Sequence, residues 1–264
     1  MTRLPADVRM GAVDLRVTDL DRSLAFYTDV VGLAVLRREG GRAEVGPAGG
    51  RAILRLDGDR RATPRPRGTS GLFHVAILVP DRAALGRALR RVAAARWPLS
   101  GAADHLVSEA LYLSDPDGLG LEIYRDRPPD DWTTDGSEVL MATDPLDLED
   151  VAREPGAESP APMPAATVIG HVHLNVPSLD GAERLYCEDI GFTPTLRRYP
   201  GALFVAAGRY HHHLGLNVWA GRGAPPPPAG AVGLRAFAIE ATGLAARVVH
   251  DPTTDVEVRL GPPA

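Results

Sequence analysis

The chain has 264 residues, 44% of them apolar, a formal charge of −5 at pH 7 and a single cysteine. That composition can fill a substantial core, and the length allows one large or two ordinary domains. Scattered arginines argue against nucleic acid or an anionic membrane as partner, and the lone Cys187 can form neither an internal disulfide nor a cysteine zinc site. The opening MTRLPADVRM lacks a signal-peptide core and no apolar run approaches ~18 residues, so a soluble cytoplasmic protein is expected.

Residues 11–19 alternate apolar and polar, as a half-buried strand does. A helix follows, with Asp19 or Asp21 as cap, an apolar face of Leu24, Tyr27, Val30 and Val31, and a stop at Gly32. Three strands are expected near 34–38, 42–46 and 51–57, which completes a βαβββ unit. A second unit runs from the strand GLFHVAILVPD (71–81) through a helix with Leu85, Leu89 and Val92 on one face to the strands EALYLSD and GLGLEIY.

Residues 126–167 hold seven prolines and read as a linker with one short helix near 145–152. The third unit is the clearest repeat: IGHVHLNVPSLDGAERLYCEDIGF (169–192) overlies MGAVDLRVTDLDRSLAFYTDVVGL (10–33), and strands near 202–207 and 210–219 complete it. The run at 224–228 is a stiff, proline-rich loop. A fourth unit opens at GLRAFAIEA (233–241) but reaches VVHDPTTDVEVRL with little room for a helix, an opening that a second copy in a homo-oligomer could cover. The organisation is therefore α+β: two units in 1–125, the linker 126–167, and a third and a truncated fourth unit in 168–264, forming two curved-sheet cups. Five of the eight histidines, at 171, 173, 211, 212 and 213, fall within one short span.

The repeated unit, with openings such as HVHLNV and the ending DPDGLGLE, resembles the vicinal oxygen chelate superfamily, which includes glyoxalase I, the bleomycin and fosfomycin resistance proteins and the extradiol dioxygenases. DHLVSEALYLSDPDGLGLEIYRDRP (104–128), IGHVHLNV (169–176) and YHHHLGLNVW (210–219) are most similar to catechol 2,3-dioxygenase-like members. The resemblance covers nearly the whole chain.

It implies a metal inside a cup of two paired units, with ligands from their first strands and one last strand. The places it marks are His171 in unit three and His74 in unit two, but Ala12 and Ala236 in units one and four. The carboxylate place after DPDG is Glu122, with Glu257 as a candidate counterpart in unit four. Only units two and three together supply two histidines and a carboxylate, so those units are expected to pair across the linker around Fe(II) or Mn(II), both of which suit such a set.

The same resemblance implies an acid–base role for His213 and a substrate-lining role for His105 and Tyr112, with His173, His211 and Asn217 as pocket or supporting residues. The expected substrates are a small aromatic diol and O₂, in the breakdown of aromatic compounds. Two alternatives stay open: a glyoxalase-like metal lyase or isomerase, which lacks its second acid here because unit three reads HLGL, and a metal-free binding protein of the bleomycin-resistance kind.

Overall fold

A computed structural model describes residues 3–263. Unit one comprises β1 (Arg9–Val17), α1 (Leu20–Ala25), β2 (Ala34–Glu39), β3 (Arg42–Gly46) and β4 (Leu54–Gly58). Unit two comprises β5 (Gly71–Leu78), α2 (Arg82–Ala94), β6 (Gly101–Asp104), β7 (Ser108–Ser114) and β8 (Gly120–Asp126). Short strands β9 (Thr134–Asp135), β10 (Glu138–Val139) and β11 (Asp144–Pro145) and the helix α3 (Leu148–Arg153) occupy the proline-rich stretch. Unit three comprises β12 (Val168–Asn175), α4 (Leu179–Glu183), β13 (Thr193–Leu196), β14 (Ala202–Ala206) and β15 (Leu214–Asn217). Unit four has three strands and no helix: β16 (Gly233–Glu240), β17 (Arg247–Asp251) and β18 (Val256–Gly261).

The helices start where side-chain caps allow. Asp19 accepts from the Arg22 backbone N–H at 3.1 Å and Asp81 from that of Ala84 at 2.7 Å. Both α1 and α4 widen into π-helical turns, Phe26–Val30 and Arg184–Ile190, so the repeat extends to an unusual local conformation. Gly191, at φ 112°, closes the second of these in the left-handed region.

The sheets join the units crosswise. Strand order β11-β6-β7-β8-β5-β12-β15-β14-β13 puts units two and three in one sheet; β17-β18-β16-β1-β4-β3-β2 puts units four and one in the other. At each centre two first strands pair antiparallel, β5 with β12 and β1 with β16, and each pairing carries register shifts next to its inward-facing residues. Helical tyrosines tie the consecutive units. Tyr27 donates to Asp115 at 3.3 Å, and its repeat equivalent Tyr186 donates to Asp251 at 2.9 Å; both aspartates head the loop before a unit's last strand.

The stretch 126–167 is held against unit two. β11 pairs with β6, Val151 and Ala157 of the α3 region pack on Gly86, and Arg82 binds Asp150 at 2.6 Å and Glu154 at 2.8 Å. Its helix begins at Leu148, later than the expected 145, because Asp147 is the residue that caps it.

Candidate metal centre

β5, β8 and β12 lie side by side, with β5 between the other two. His74 faces His173 across the β5–β12 pairing, while Ala76 lies beside both His171 and Glu122. Strand alternation then turns His74, Glu122 and His171 to one concave face. His74 Nε2 is 2.9 Å and His171 Nε2 3.2 Å from the same Glu122 oxygen, Oε2, and the two nitrogens are 3.3 Å apart. All three side chains are buried and form a group that could hold a metal ion.

Burial opposes ionisation of Glu122, but the adjacent His171 and His74 imidazoles outweigh it and hold the carboxyl well below the usual range. Burial pushes His171 down despite the pull of Glu122. It pushes His173 well down, with His74 and His171 adding to the effect. For His171 and His173 burial thus favours the neutral form, the form that ligation needs.

A cavity of about 480 Å³ opens over this face, lined by His74, His105, Tyr112, Glu122, His171, His173 and His212 among others. His105 lies in the β6–β7 turn. Its Nδ1–H donates to the Ala142 carbonyl at 2.5 Å, so Nε2 is an acceptor and the Tyr112 hydroxyl donates to it at 2.6 Å. Burial, then the nearby Glu122 charge, raises the Tyr112 phenol well above its ordinary value, keeping it protonated.

The histidine run departs from expectation. Residues 210–213 precede β15, so strand alternation does not govern them. His213 points away from the cavity: its Nδ1 accepts from the Ala207 N–H at 3.3 Å and its Nε2 donates to the Val8 carbonyl at 3.1 Å. His212 lines the cavity instead, its ring centroid 4.2 Å from that of His171.

His211 is fully buried behind it. Its Nε2 meets Asp126 at 2.8 Å and its Nδ1 meets His212 Nδ1 at 2.7 Å. With Nε2–H given to the carboxylate, His211 Nδ1 accepts from His212 Nδ1–H, which leaves His212 Nε2 for the cavity. Tyr124 donates to Tyr210 at 2.7 Å and Tyr210 to Asp126 at 3.0 Å, completing a buried chain. Gly170 is required beside it, since a Cβ there would sit 1.7 Å from the Tyr124 oxygen.

Asn217 is buried outside the cavity and accepts from the Trp219 N–H at 2.9 Å. Glu257 is not the counterpart of Glu122. Overlaying β16 on β5, the parallel register places Arg259 where Glu122 stands, and Glu257 two residues earlier. Asp126, Tyr210, His212 and the wall residues Met141, Ala142 and Thr143 were not expected. The turn signal in AAGRY, just before the histidine run, marks where alternation fails; the wall residues carry no periodic signal.

Residues 9–123 match the family model of the Glyoxalase/Bleomycin resistance protein/Dioxygenase superfamily. With that match and the relative that follows, the chain belongs to this superfamily. It is 44% identical over 243 residues to the catechol-2,3-dioxygenase of Bacillus subtilis (strain 168), covering 90% of this chain and 85% of that protein. Among solved structures, a Bacillus subtilis subsp. subtilis str. 168 protein superposes with TM-score 0.67 at 14% identity, over 100% of this chain and 87% of the other. Glyoxalase I from Zea mays superposes with TM-score 0.55 at 16% identity, over 96% of this chain and 92% of the other. These two likenesses speak for the fold. No described helix is long and apolar enough to cross a membrane.

Proposed function

We propose that the chain is an extradiol ring-cleaving dioxygenase that opens a catechol-type aromatic with O₂, using a divalent metal, Fe(II) or Mn(II), held by His74, Glu122 and His171. The observation that carries this reading is the convergence of their three buried donor atoms, from three adjacent strands, on one point in the cavity floor. Donors separated by 2.9, 3.2 and 3.3 Å fit neighbouring corners of an octahedron with bonds of about 2.1 Å. Glu122 is the one carboxylate among the described lining residues, which leaves a four-ligand glyoxalase site short of an acid.

Bound there, the metal would supply a Lewis acid that eases loss of a catechol proton. The chain's own residues do the rest. His212, neutral because burial and then the nearby His171 and His211 hold its pKa well down, offers Nε2 as acceptor for a hydroxyl proton. The proton's charge is shared along His211 towards Asp126. Tyr112, fixed by His105, presents its phenol oxygen to the substrate diol and orients the ring.

The test is reconstitution with Fe(II) under anaerobic conditions, followed by catechol and air. A yellow ring-opened product, lost in His171→Ala, is expected. A protein that neither takes up metal nor changes on that substitution would favour the metal-free binding reading.

A further inference from the structure

One cavity wall is an unbroken aromatic belt. From His212, beside the ligand His171, it passes to Phe204 at 4.9 Å between ring centroids, to Tyr199 at 5.6 Å, to Trp219 at 6.4 Å and to Phe73 at 5.3 Å. Phe73 and Trp219 form the mouth and are unusually open for such side chains, 40% and 46% exposed. Adjacent exposed aromatics at a cavity entrance mark a surface that a ligand covers.

Beyond His212 the belt presents mainly carbon. Trp219 Nε1 donates to the Pro200 carbonyl at 3.0 Å, and the Tyr199 and Thr143 hydroxyls share one hydrogen bond at 2.6 Å, which leaves a single neutral O–H between them. No arginine or lysine is among the described residues that line the cavity, and its one formal charge is the negative Glu122. A carboxylate carried on the substrate would find no counter-ion and no spare indole donor on this wall, and one neutral hydroxyl returns only part of the desolvation cost of seating it there. The volume, about 480 Å³, lies in the range that holds ligands larger than a single-ring diol.

We propose that the substrate is an uncharged catechol with an apolar, ring-sized substituent laid along Phe204, Tyr199, Trp219 and Phe73, and that catechols with anionic side chains are discriminated against. This rests on the dioxygenase reading above and adds to it the class of catechol.

The test compares catechol, 4-phenylcatechol and (3,4-dihydroxyphenyl)acetate on the Fe(II)-loaded protein, by kcat/KM and by calorimetric Kd measured without O₂. The phenyl compound should exceed catechol by roughly tenfold or more, as burial of an added ring on an apolar wall requires. The acetate should fall about tenfold or more below catechol. Trp219→Ala and Phe73→Ala should each shrink the phenyl-to-catechol ratio, and Phe73→Arg, at a half-open position that tolerates the change, should raise the acetate-to-catechol ratio about tenfold. If catechol is cleaved but the acetate is the better substrate, or the phenyl group brings no gain, the specificity proposal is overturned while the dioxygenase reading stands. Failure to bind or cleave any of the three overturns both. The wild-type series decides even if a variant does not fold.

Discussion

The two curved sheets come from one repeat, and their centres have taken opposite electrostatic solutions. In the nine-stranded sheet the inward places hold His74, His171 and Glu122, a buried carboxylate between two imidazoles with no arginine bound to it among the described residues. In the seven-stranded sheet the same places hold Ala236, Ala12 and Arg259. There Asp14, the repeat equivalent of His173, is bound by Arg259 at 2.5 Å and lies 3.5 Å from Arg55. One centre carries its own cation as a guanidinium; on the proposed reading the other takes one from outside. A metal joining β5 and β8 to β12 would tie the chain across 126–167, whereas the ion pairs of the other sheet serve that purpose unaided.

Substitution at a ligand should break this contrast most severely. Glu122→Ala is expected to weaken metal binding by more than the roughly 10–100-fold that loss of a supporting residue costs, and to abolish catechol cleavage. Metal titration with a competing chelator measures it. Next comes His212→Gln, which should lower kcat by about 10²–10⁴-fold with metal content retained, while His213→Gln leaves kcat nearly unchanged. Equal losses in the two would remove the assignment of the cavity base to His212.

Chelation tests the cross-tie itself. At a metal concentration about 1,000 times Kd, binding stabilises the fold by ~4 kcal/mol. For a chain of this size that is a fall of roughly 10 °C in Tm on metal removal. Scanning calorimetry with and without chelator reads it, and an unchanged Tm would mean that the ion contributes nothing to holding the units together.

A smaller effect separates His213 from the metal site. Burial pushes its pKa from 6.5 down to about 4, so the fold holds it neutral. Its contribution is complete above pH 6.5 and is lost as pH falls towards 4, about 3 kcal/mol in all. Denaturant unfolding from pH 7 to 4 should therefore be less pH-dependent in His213→Gln than in the wild type. Smallest is Arg259→Met in the other sheet: the pair with Asp14 is partly exposed, so the cost should be about 1 kcal/mol or less, with catechol cleavage intact.

The repeats and the convergence of His74, Glu122 and His171 were legible because each sits within a strand whose alternation is regular and whose ends are marked, Glu122 by the DPDG turn before it. The crosswise sheet order followed from counting which units retain ligand-type side chains. Legibility stopped where alternation did. The chain turns at Gly208, φ 64°, and enters β15 only at Leu214, so the place the resemblance marked, His213, turns away and its neighbour His212 lines the cavity. In unit four the stretch from Asp251 to the inward place runs one residue longer than that from Asp115 to Glu122, which puts Arg259 where Glu257 was expected. The wall made by Met141, Ala142 and Thr143 rests on contacts distant in sequence, such as Ala142 to His105, that no local pattern announces.

The chain is expected to hold one ion, at the nine-stranded sheet. Elemental analysis after anaerobic loading with Fe(II) and removal of free metal measures this. One equivalent per chain is expected in the wild type and in Arg259→Met, with next to none in His171→Ala. Equal metal in the wild type and His171→Ala, or loss of the ion in Arg259→Met, would contradict the account.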